Sequence, residues 1–184
     1  MCSSDLMKTY RIIDKLNDPS RRGQLEGAKA ALIFNMGVLA HYVGDTAQPL
    51  HTTVHHHGWV GDNPKGYTTD NKFHAWIDGG VVKLHNITIA DVRAACPFKN
   101  KADQSQPWDD VLEHIKRSHD ALVPLYDLEK SGDLKKAPGK EFIIGRLSDG
   151  ADMLSAMYAS AWQAAAPDDK AVQDFGRYDS WQPE

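Results

Sequence analysis

The segment HYVGDTAQPLH, residues 41–51, places a histidine and a carboxylate, His41 and Asp45, four positions apart. On a helix that spacing sets both side chains on one face, so they can address the same point in space. Pro49 ends such a helix, and the chain can then turn so that His51 aims sideways at a neighbouring position. The device recurs in FHAWID, where His74 and Asp78 are again four apart. Three imidazoles and two carboxylates without a thiolate suit zinc, which accepts nitrogen and oxygen ligands and leaves a position open to water. His41 and Asp45 alone would equally describe a buried histidine hydrogen-bonded to a carboxylate.

The elements that must position these residues read as helices throughout. Leu6, Tyr10, Ile13 and Leu16 fall at helical spacing before Asn17-Asp18-Pro19 breaks the pattern. Leu25, Ala28, Leu32, Met36 and Leu39 continue the period in one long helix over about 24–48, which carries His41 and Asp45. Residues 52–70, with His55-His56-His57 and several glycines, read as a loop, and Thr69 or Asp70 can cap a following helix through His74 and Asp78. A short helix fits 90–95. Ser105 and Pro107 open another, with Trp108, Val111, Leu112, Ile115, Leu122 and Leu125 as its apolar stripe and a kink expected at Pro124. After a turn over 130–138, Ile143, Leu147, Leu154, Tyr158, Ala161 and Ala165 define a last long helix over 141–166, followed by a looser tail over 168–184. No segment alternates with period two, so the expectation is an all-α multi-helix bundle. At 184 residues it is expected to form a single domain, 1–184.

The order and spacing of HYVGDTAQPLH followed by FHAWID resemble the signature of the zinc-dependent phospholipase C and S1/P1 nuclease superfamily, over residues 37–78. With all five residues in that register, ligation outweighs the buried-pair reading of His41 and Asp45. The resemblance implies the all-α fold of that superfamily, up to three zinc ions, and hydrolysis of a phosphodiester, either single-stranded nucleic acid or a phospholipid. Carried over by position, His41 would bind one zinc of a close pair and Asp45 would bridge both of its metals, as the residue of the catalytic centre. His51, His74 and Asp78 would hold the third zinc. Asp78, where phospholipases usually carry glutamate, favours the nuclease. The superfamily completes its metal pair with upstream residues, an N-terminal tryptophan, two histidines and an aspartate, and residues 1–40 contain no histidine. Residues 1–6 (MCSSDL) read like the translated end of a sequencing adapter. The expectation is therefore a fold lacking its N-terminal part, with the third zinc site intact, the paired site half present, and the activity of this exact chain in doubt. A non-catalytic helical zinc-binding module is the alternative from another class.

The remaining residues carry weaker signals. His55, His56 and His57 read as a solvated or substrate-facing loop surface rather than ligands. Trp59 and Tyr67 could stack on a base or a lipid headgroup, although packing of the loop explains them as well. His85, His114 and His119 lack a carboxylate at ligand spacing and read as surface or rim residues. Trp76 and Trp162 read as core, and Cys96 as a small buried hydrophobe. Hydrophobic content of 41%, charged content of 25% and a net charge of −4 describe a globular chain without the positive surface of a stable DNA-binding protein. Two cysteines allow neither a disulfide framework nor a thiolate cluster. No transmembrane run and no signal-peptide pattern is present; by resemblance alone, a secreted or periplasmic protein is expected.

Overall fold

A computed structural model describes residues 3–99, 101–103 and 105–178, and among these every regular element is helical. The elements are α1 (Ser3–Leu16), α2 (Arg22–Ala47), α3 (Phe73–Ala75), α4 (Val81–Leu84), α5 (Ile89–Ala95), α6 (Pro107–Asp120), α7 (Leu122–Ser131), α8 (Ala137–Ala164) and α9 (Asp169–Tyr178). The all-α expectation holds. The described chain groups into two compact units, residues 1–41 with 157–184 and residues 42–156, and the two longest helices contribute to both.

In the first unit, Met7, Leu32, Ala161 and Ala165 form a small core with Tyr10, Met36 and Tyr158 packed against it. The Tyr158 hydroxyl donates to the Met36 carbonyl at 2.5 Å, which fastens α8 to α2. Asn17, at φ 49°, and the Asp18 cap that receives the Ser20 amide end α1 where the sequence breaks. On α2 the expected stripe faces inward through Leu32, while Ile33 and Phe34 stay exposed at 59% and 71%. Two expectations fail here. Trp162 is 45% exposed rather than core, with the Arg11 guanidinium 4.5 Å over its ring. The tail expected to be loose forms α9 as far as it is described, packed on α1 and tied by the Lys15–Asp169 ion pair at 2.8 Å. Residues 1–2 of the adapter-like start and 179–184 of that tail lie outside the described residues.

In the second unit, Leu50, Tyr67, Phe73, Ile77, Val81, Leu122, Leu125, Tyr126, Leu134 and Ile143 make the main core. The helix expected to kink at Pro124 instead divides at Ala121. Pro124 lies in the first turn of α7, where its missing N–H leaves no hydrogen bond unmade. The stripe on α6 is also rotated from the expected one. Trp108 and Leu112 are exposed, whereas His114, expected at the surface, is buried with Ser118. Helix α6 packs on the short 3₁₀ turn Pro49–Thr52, and His119 Nδ1 donates to the Thr52 carbonyl at 3.1 Å. Thr88 and Asp91 form a reciprocal capping box at the start of α5. Cys96 is buried as expected; Trp76 is only half-buried, packed against the main core.

Candidate metal centre

Four short pieces of backbone bring the site together. Helix α2 delivers Asp45 in its last turn, and Gln48 then caps the 3₁₀ turn by accepting the Leu50 amide on its side-chain oxygen. Buried Pro49 and Leu50 anchor that turn, which carries His51. From the other side, α3 carries His74 and runs into a π-helical turn, Trp76–Gly80, which carries Asp78. The sequence predicts a helix through Asp78 that Gly79-Gly80 weakens or ends; the chain instead continues through this π turn into α4. The wider π turn has room for the Trp76 ring because residue 80 is glycine: a Cβ there would lie 2.3 Å from the ring. Such turns store an unfavourable backbone geometry and are frequent at functional sites.

The three ligand candidates converge. His51 Nε2 and His74 Nε2 are 2.7 Å apart, His74 Nε2 lies 2.8 Å from Asp78 Oδ2, and His51 Nε2 lies 3.8 Å from Asp78 Oδ1. Ligands about 2.05 Å from a tetrahedral zinc would sit roughly 3.3 Å from one another, so small side-chain adjustments fit the ion. The surrounding groups orient the set as ligand partners do. Gln48 Nε2 donates to Asp78 Oδ1 at 3.0 Å, and with its oxygen engaged by Leu50 the amide has one orientation. His51 Nδ1 faces Asp45 Oδ1 at 3.5 Å, leaving Nε2 toward the other two candidates. Burial holds the His74 pKa below its ordinary value; Asp78 opposes the shift, and His56, His51 and His57 add to it. The favoured neutral ring is the form that binds a metal.

His41, Asp45, His51, His74 and Asp78 therefore do not all play one part. His51, His74 and Asp78 form a convergent set, while neither His41 nor Asp45 joins a set of three among the described residues. Asp45 lines, with Gln48, His51 and Asp78, a cavity of about 400 Å³ whose remaining wall includes Ile77, Leu125, Phe142, Ile143 and Arg146. Arg146 is held there by Asp149. It stands three positions after Ile143, on the apolar stripe of the last long helix, and a cation at such a position was the sequence signal for it.

The loop over 52–70 is more ordered than its composition suggests. Tyr67 is buried, its hydroxyl donates to Asp127 Oδ1 at 2.7 Å, and its ring lies against Trp59 and Tyr126, so packing accounts for it. Trp59 stacks on His55 with ring centres 3.9 Å apart and donates its indole N–H to the Asp62 carbonyl. Tyr126 donates to the His55 carbonyl at 2.7 Å, and burial pushes its pKa up to about 12. Of His56 and His57, expected on a solvated or substrate-facing loop surface, His57 is exposed and His56 half-buried, and both approach His74, with ring centres 5.4 and 3.8 Å away. His85 donates to the Leu134 carbonyl at 2.9 Å, a structural contact within the fold.

No protein-family model, no curated protein and no solved structure matches the chain.

Proposed function

We propose that the chain carries the metal centre of a zinc-dependent phosphodiester hydrolase of the phospholipase C and S1/P1 nuclease kind, acting on single-stranded nucleic acid in preference to phospholipid. The observation that supports this reading is the convergence of His51, His74 and Asp78, two of which, His51 and Asp78, line a cavity together with Asp45 and Arg146. Two imidazoles and one carboxylate fit zinc and leave a coordination position open. When bound, zinc supplies electrophilicity toward a phosphoryl oxygen and acidifies water. The protein's own residues hold and orient. Gln48 fixes the Asp78 carboxylate, Asp45 faces the ring of His51, and Arg146, paired with Asp149, places a guanidinium in the cavity wall that can donate to a phosphoryl oxygen. The apolar side chains of Phe142 and Leu147 in the cavity wall, which are not buried, suit the face of a base. Secretion or a periplasmic location belongs to the same proposal, by resemblance of the motif.

Zinc-loaded protein assayed on single-stranded DNA and on phosphatidylcholine vesicles tests the reading. Chelator-sensitive cleavage of DNA is expected. Turnover of neither substrate contradicts it. A second reading, a non-catalytic zinc-binding module, is favoured by one observation: Asp45 lacks a convergent set of its own among the described residues. It predicts zinc-dependent stability without hydrolysis.

A further inference from the structure

Beside the set just described, His56, His57 and His74 offer three imidazole nitrogens within 4.8 Å of one another. All three belong to the second compact unit. We propose that they form a second metal-binding set, made of nitrogen alone, which competes with His51 and Asp78 for the ring of His74.

The hydrogen bonds of the histidine tract separate its members. His55 Nδ1 accepts the Val60 amide at 3.0 Å and its ring is stacked on Trp59, so it is committed to holding the loop. His56 is arranged oppositely. Its Nδ1 lies 2.8 Å from the Leu50 carbonyl, which can only accept, so Nδ1 carries the proton and Nε2 carries the lone pair. A backbone carbonyl holding one ring nitrogen while the other is left for a metal is the usual arrangement behind a ligating histidine. His57 is exposed, with its ring centre 4.4 Å from that of His56. Gly58 fixes this corner: it has φ +104°, and a Cβ there would lie 2.7 Å from the backbone of Thr69.

A neutral imidazole has one lone pair, so His74 serves one metal at a time. The two sets are therefore alternatives. The first, with a carboxylate, suits zinc; the second suits the later divalent metals that prefer imidazole, nickel and copper, as well as zinc. This inference is independent of the hydrolase reading and shares with it only His74.

Calorimetric titration with zinc and with nickel tests it in the wild type, in His51→Ala/Asp78→Asn, and in that double variant with His57→Ala added, each checked for folding without metal by circular dichroism. His57 makes the milder change because it is exposed. The double variant is expected to keep one metal per chain, nickel at least as tightly as zinc, and His57→Ala to weaken that binding by more than about tenfold, the least that loss of even an outer partner costs. If the double variant binds no metal while the wild type does, the second set does not exist and the zinc reading of the first stands. Binding by the double variant that is indifferent to His57→Ala also overturns the proposal. A wild type that binds neither metal overturns both sets.

Discussion

Gln48 touches no metal position, yet both ends of its amide are engaged in holding the candidate site. Its nitrogen donates to Asp78 and its oxygen receives the Leu50 amide. Gln48→Ala should lower zinc affinity by about 10- to 100-fold, the usual effect of losing a residue behind a ligand, as isothermal titration would register. His114 makes a prediction about pH. It is buried, its Nε2 has no hydrogen-bond partner, and burial holds its pKa below the ordinary 6.5 although the Val43 carbonyl opposes the shift. At neutral pH the ring is uncharged in the folded and unfolded chains alike. As pH falls below the ordinary value the unfolded chain takes up the proton first, so stability is lost until the folded value is passed. His114→Leu should therefore unfold less readily than wild type as pH falls from 7 to 5, measured by urea titration, because it removes both the titration and the unpaired nitrogen. Residue types and spacing made His51, His74 and Asp78 legible. They could not reveal His56, whose role depends on the Leu50 carbonyl lying beside it in space.

At the scale of elements, Leu125 is fully buried in the main core, where it backs the cavity wall. Leu125→Ala should cost about 2–5 kcal/mol in denaturant unfolding, the range for a cavity left in a packed interior. The corner before Trp59 depends on glycine in a different way. Gly58→Ala forces a side chain into a positive φ and against Thr69, costing on the order of 1–3 kcal/mol. It should also weaken nickel binding, because His56 and His57 precede the strained position. The long helices could be read from period alone, and Pro19 and Pro49 marked their ends. Gly79-Gly80 marked a weak point in this helix, but local periodicity could not foresee the π turn at Trp76–Gly80, which depends on the Trp76 ring packing against residue 80. On α6 it pointed to Trp108 and Leu112, but small Ser118 and the ring of His114 occupy the buried face. Apolar stripes report what could be buried, and tertiary packing decides what is.

For the molecule as a whole, the convergent set lies inside one of the two compact units, residues 42–156. Zinc should therefore slow amide hydrogen exchange there, above all in 48–58 and 73–81, and raise the unfolding free energy by about 2.7 kcal/mol at one hundred times the dissociation constant. The helical class was legible because no segment alternates with period two. The division into units was not, because it cuts through α2 and α8, and the apolar period runs through both cuts unbroken. His74 is the residue on which both metal sets depend, so zinc titration of wild type against His74→Ala, with folding verified before metal is added, tests the account most directly. Zinc binding by the wild type and its loss in His74→Ala is the predicted result. A His74→Ala chain that takes up zinc with the wild-type stoichiometry and affinity would contradict it.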